Sequence, residues 1–251
     1  MNDKIISRID EENYNSFGSL MIIKEYKNCE NINVYFPEYN WTYYHSTYKE
    51  FKNGHIKCPF EPRYCNIGYL GEGKYKVMKN KEKTKEYITW SSMLNRCYSN
   101  KYSAYENCYV CDNWLNFQNF SQWYEDNYYE INGEIMTLDK DILYKGNTCY
   151  SPDTCVFVPQ KINTLFVKSN RIRGKLPIGV TTTNNNKFIS RCKNGKNEKI
   201  YLGTYDTPEE AFYAYKSYKE KTIKQLADEY KNYIPCNLYI AMYNYEVDIN
   251  D

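Results

Sequence analysis

Apolar and polar positions alternate along this chain with two periods, and the changes of period mark its elements. In GSLMIIKEY and NINVYF, within residues 18 to 73, β-branched and aromatic residues are set between polar turns, which predicts short strands. YKEFKNGHIKCPFEP then ends in Gly and Pro punctuation. KYKVMKNKEKTKEY predicts a strand and turn leading into a helix, on which Trp90, Met93, Leu94 and Cys97 recur at helical spacing. A second helix is predicted over WLNFQNFSQWYEDN, with Trp114, Phe117, Phe120 and Tyr124 on one side. A third begins between Pro159 and Phe166.

Three more strands are predicted by LPIGVTTT, KFISRCK and KIYLGTY, joined by turns rich in Asn and Gly. TPEEAFYAYKSYKEKTIKQLADEYK then predicts a long helix. Thr207 caps it, Pro208 takes its first position and Glu210 completes a capping box. Ala211, Phe212, Tyr215, Tyr218, Ile223 and Leu226 supply a face that packs against a sheet. Three antiparallel strands and one long helix form a unit of a size that can fold alone. The fold class is therefore α+β.

Charge refines this picture through its distribution. The net charge is only +2, but Lys168 to Ile200 holds nine Lys or Arg against the single acid Glu198. Lys74 to Lys101 holds eight basic residues against Glu82 and Glu86, whereas Tyr105 to Asp141 holds eight acids and one lysine. Such an arrangement fits a phosphate-binding surface beside a metal-binding site, and equally a patchwork of solvated faces.

No run reaches the length of a membrane span and MNDKIISRIDEENYN lacks the apolar core of a signal peptide, so no membrane partner and a cytoplasmic location are expected. The ten cysteines are then expected as reduced thiols. Cys108 and Cys111, with Cys149 and Cys155, are spaced wrongly for a zinc knuckle, which favours buried thiols over zinc. His45 and His55 are the only histidines, and neither has an acidic or thiol cluster beside it in sequence.

Gly179-Val180, Lys187-Phe188, Tyr201-Leu202-Gly203-Thr204-Tyr205 and Thr207-Pro-Glu-Glu-Ala211 give residues 173 to 231 a likeness that spacing and segment agree on. This stretch resembles the APETALA2/ethylene-response-factor DNA-binding domain, which also occurs in phage endonucleases. In that family the sheet lies in the major groove. The resemblance implies double-stranded DNA as partner, with Thr181, Thr183, Lys187, Phe188, Arg191, Lys193 and Tyr201 facing it. Several family arginines are Thr here, so phosphate contact is implied more strongly than base reading.

WSSMLNRCY, VCDNWLNFQNF and LDKDIL…YSPDTCVFVPQKIN carry a second likeness, over about 85 to 166. This region resembles the HNH-type nuclease, a ββα hairpin that holds one divalent metal. The resemblance implies Asp139 and Asn163 as ligands of Mg²⁺ or another divalent ion. Lys140 stands where the general-base histidine belongs, and Thr154 where the orienting Asn belongs. Lysine has an unperturbed pKa of about 10.4, and the neighbouring acids favour its charged form, so it makes a poor base.

The organisation expected is an N-terminal β-rich module over 1–78, an HNH-like domain over 79–168, the DNA-binding domain over 173–231 and a C-terminal tail over 232–251. The whole layout resembles phage or prophage proteins. A DNA-binding protein on an impaired nuclease scaffold is one expectation. An active metal-dependent homing-type endonuclease is another, and a counter-defence protein acting on a host protein is a third.

Overall fold

The computed structural model describes residues 8–167, 176–195 and 198–251 of the chain. Its contacts divide the chain into two compact units, Met1–Asp126 and Asn127–Asp251. The boundary expected near residue 78 falls inside the first unit. Most of the one expected between 168 and 173 lies outside the described residues.

The first unit begins with a four-stranded antiparallel sheet in sequential order, β1 (Glu12–Tyr14), β2 (Leu20–Asn28), β3 (Asn31–Phe36) and β4 (Trp41–Ser46). Period-two alternation puts Ile32, Val34 and Phe36 on its inner face, where they meet Met21, Ile23 and Phe51 in one apolar cluster. Phe51 comes from α1 (Tyr48–Lys52), which Thr47 caps by accepting the N–H of Glu50. A short hairpin of β5 (Met78–Lys79) and β6 (Glu82–Lys83) follows, turned by Asn80 and Lys81 at φ 53° and 67°. It leads into α2 (Lys85–Tyr98), whose buried Trp90, Met93, Leu94 and Cys97 are the stripe expected from their spacing.

The helix expected over residues 114 to 127 is interrupted. After a short strand, β7 (Tyr109–Val110), come α3 (Asp112–Leu115) and α4 (Phe117–Asn127), separated by Asn116 in an extended conformation. Tyr69 causes the break. Its N–H donates to Leu115 O and its carbonyl accepts from Phe117 N, each at 2.9 Å. Helical backbone there would forfeit that pair. Asn116 Oδ1 then accepts from the N–H of Gln118 at 2.9 Å and restarts the helix. The aromatic stripe survives because Trp90 Nε1 donates to Trp114 O at 2.7 Å, joining α2 to α3.

In the second unit β8 (Met136–Asp139) pairs antiparallel with β10 (Val156–Pro159), Asp139 opposite Val156. The two-residue β9 (Cys149–Tyr150) lies in the connection, and α5 (Gln160–Phe166) follows β10. Then β11 (Val180–Thr182), β12 (Phe188–Lys193) and β13 (Lys199–Tyr205) form an antiparallel sheet in that order. They pack on the long helix α6 (Pro208–Tyr230), which has the capping box expected of Thr207 and Glu210.

α6 has two apolar halves. Ala211, Phe212 and Tyr215 pack with Val180 and Cys192 of the sheet. Ile223, Leu226, Ala227 and Tyr230 pack instead with Val156, Val158, Ile162 and Leu165 of the hairpin and α5. The last twenty residues, expected as a tail, are an integral layer. There α7 (Cys236–Tyr243) buries Leu238 and Met242 against the second half of α6. Hairpin and sheet, expected as separate domains, share one helix as their common core.

Candidate nucleic-acid interface and hairpin site

Pleat parity sorts the expected DNA-facing residues. Val180, Ser190 and Cys192 are buried toward α6, while Thr181, Arg191 and Lys193 are exposed. The pairing adds Tyr201 opposite Arg191, Lys199 opposite Lys193, and Ile189 opposite Thr181. A bulge between Ser190 and Arg191 accommodates Leu202 as an extra residue on β13. Tyr201 and Thr204, three positions apart, therefore share the outer face, and their hydroxyl oxygens lie 2.7 Å apart. The result is a solvent face carrying Arg191, Lys193, Lys199, Tyr201, Thr181 and Thr204. Among the described residues its three cations have no ion-pair partner.

The other expected contacts are placed differently. Phe188 packs with the cluster between sheet and α6, so its ring belongs to the core side. Thr183 Oγ1 closes the β11–β12 turn by accepting the N–H groups of Asn185 and Lys187 at 3.3 and 3.2 Å. Lys187 is exposed and paired with Asp206. Lys168, Arg171, Arg173, Lys175 and Lys196, counted in the basic stretch, lie outside the described residues. Lys199 was legible by parity with Tyr201, two positions on. Thr204 was not, because the bulge breaks the period.

The hairpin positions are held by a network. Asp139 Oδ1 accepts the backbone N–H groups of Asp141 and Ile142 at 2.8 and 2.7 Å and so caps the turn after β8. Burial pushes the Asp139 carboxyl up from its ordinary value, against the two N–H bonds that pull it down. Lys140 is 6% exposed. Its ammonium donates to both carboxylate oxygens of Asp141, at 2.8 and 2.9 Å, and to Asn147 O at 2.7 Å. An ammonium so engaged presents no lone pair to a water, and it is turned into the loop instead of toward a ligand. Thr154 Oγ1 donates to Cys149 O at 2.8 Å and lies 2.9 Å from Ser151 Oγ. On α5, Asn163 Nδ2 donates to Thr137 Oγ1 at 3.2 Å, which ties the helix to β8.

A divalent ion needs several oxygen ligands, and magnesium adds water or phosphate to one or two carboxylates. With Asp139 Oδ1 committed to two N–H groups, the expected pair leaves Asp139 Oδ2 and the Asn163 amide oxygen. Among the described residues no three His, Cys, Asp or Glu side chains gather into a metal-sized group.

Both histidines are exposed residues of the first unit. His45 Nδ1 lies 3.2 Å from Asn31 Oδ1, and His55 lies 3.4 Å from Glu50. The ten cysteines are free thiols. Burial pushes Cys58 up to about 11 and Cys155 up to about 12, which suits inert core thiols. Among the described residues no helix is long and apolar enough to cross a membrane. No protein-family model matches the chain, and neither a curated protein nor a solved structure is significantly similar to it.

Proposed function

We propose that this protein binds duplex DNA through the open face of β11–β13, with the β8–β10 hairpin serving as a non-catalytic scaffold. The observation that carries the reading is the shared solvent face of Arg191, Lys193 and Lys199 around Tyr201. Arg191 and Lys193 lie two residues apart on β12 and Lys199 lies opposite Lys193 on β13, a cluster of cations suited to phosphates, and an exposed aromatic ring adds contact area. Three cations on one face favour phosphate contact, so binding is largely electrostatic with weak sequence preference.

The test is anisotropy of a labelled duplex against salt. Arg191→Ala with Lys193→Ala should lower the slope of log K against log salt by about 1.8, from about 0.9 per lost phosphate contact. Equal slopes for the two proteins would remove this face from the interface.

Metal-dependent nicking is the second reading, favoured by the ββα order of β8, β10 and α5 with Asp139 and Asn163 upon it. Supercoiled plasmid incubated with Mg²⁺ or Mn²⁺ should stay intact. Nicking that EDTA and Asp139→Ala both abolish would replace the scaffold reading with the nuclease one.

A further inference from the structure

The second unit contains a cavity of about 530 Å³ beside β12, lined also by α5, α6 and the chain just before β11. Lys161 and Lys219 line it, β12 borders it at Arg191, Cys192 and Lys193, and no Asp or Glu lines it among the described residues. Lys219 is the informative one. It is 8% exposed, sits on α6 one turn from the buried Tyr215, and reaches the cavity wall. Among the described residues nothing accepts a hydrogen bond from its ammonium or forms an ion pair with it.

The groups that act on Lys219 do not supply a counter-charge. Burial lowers its pKa, the Cys192 thiol opposes this, and Lys193 adds a like charge. Residues 168–175 and 196–197, outside the described residues, contain no Asp or Glu in sequence. A lysine that is mostly buried and has no partner is unfavourable, whereas a Leu or Met would fill the same stem volume at no such penalty. A lysine held there is explained by an anion that enters from the cavity.

We infer that this cavity is a phosphate-binding pocket in which the Lys219 ammonium grips a phosphate or phosphate ester. An ammonium offers phosphate oxygens a point charge with three donors, and Lys161 adds a second cation to the lining. Leu165 and Ile178 add an apolar wall beside the lysines. The volume exceeds what an inorganic ion needs and falls in the range of small-ligand sites, about 300–1,000 Å³. The shared chemistry is the phosphate group; its source is a free ester or a DNA strand. Lys219 is no part of the open sheet face, so the inference does not depend on duplex binding there.

Calorimetry of the full chain with inorganic phosphate tests it, at constant ionic strength against chloride. Binding should be present in the wild type and weaker by about tenfold or more in Lys219→Met, the loss expected for a charge-assisted contact. Deoxyadenosine monophosphate that displaces phosphate while a short duplex does not would identify a free ester. Displacement by the duplex, with a Lys219-dependent affinity, would identify a backbone phosphate. NMR of reductively ¹³C-methylated wild-type protein keeps the test open should the variant not fold, because the Lys219 signal should move on adding phosphate. Absence of phosphate binding in the wild type, equal binding by a folded Lys219→Met, or a stationary Lys219 signal would overturn the inference.

Discussion

Lys140 and Asn147 hold each other reciprocally: the Lys140 ammonium donates to Asn147 O at 2.7 Å, and Asn147 Nδ2 donates back to Lys140 O at 2.9 Å. Asn147 also bonds the carbonyl and the N–H of Cys149, so the lysine stem and the β9 approach are laced together. Lys140, expected from sequence to stand at a general-base position, is thus the keystone of its own loop. Lys140→Met should destabilise the protein by about 2–3 kcal/mol, the range for losing hydrogen bonds to charged groups. A urea midpoint matching the wild type would refute this role. Lys140→His with Thr154→Asn removes both residues' ties to the loop, so a lower melting temperature and no nicking are expected.

Tyr201 and Phe188, both expected to face DNA, should separate cleanly. Tyr201 is 59% exposed on the outer face, so Tyr201→Ala should leave stability within about 0.5 kcal/mol and weaken duplex binding. Phe188 packs toward α6, so Phe188→Ala should cost about 2–4 kcal/mol, with DNA binding retained in the folded fraction. Thermal melts beside anisotropy decide, and the opposite pattern would invert the faces of the sheet.

Gly179 lies at φ 80°, and a Cβ there would come within 2.1 Å of the Tyr215 ring. Backbone and packing both demand glycine. Gly179→Ala should lower stability by about 2 kcal/mol or more through strain and overpacking. A melting temperature unchanged by the substitution would show that α6 can shift away from the sheet.

Because α6 serves two cores, a fragment of residues 173–231 should be soluble but poorly packed, lacking partners for Ile223, Leu226 and Ala227. A fragment of 127–251 should unfold cooperatively. Near-ultraviolet circular dichroism and urea titration compare them. A sharp transition for the shorter fragment would restore it as an independent domain.

The Lys219 shift has a definite sign. Its folded pKa lies below the reference value of 10.5, so the native state binds fewer protons than the unfolded chain between the two values. Stability rises with pH across that window, and the destabilising contribution is complete below it. Lys219→Met should therefore be more stable than the wild type near neutrality in phosphate-free buffer. The advantage should shrink as pH approaches 10.5. Urea midpoints across this range measure it, and a constant difference would separate Lys219 from the pH dependence.

Local order alone told much of the fold. Alternation in NINVYF and KFISRCK, the helical recurrence of Trp90, Met93, Leu94 and Cys97, and the Thr207–Glu210 cap each act within a few residues. Such signals are written in neighbouring side chains. Charge along β12, with parity, also placed Arg191 and Lys193 on one face. The break at Asn116 depended on Tyr69, far away in sequence, and the bulge that brings Thr204 beside Tyr201 depended on strand pairing. The fate of Lys140 needed the loop that returns Asn147, and the partnerless burial of Lys219 needed the sheet and α5 assembled around α6. A side chain's charge is fixed by its chemistry, but its desolvation and its partners are set by whichever distant segments pack against it.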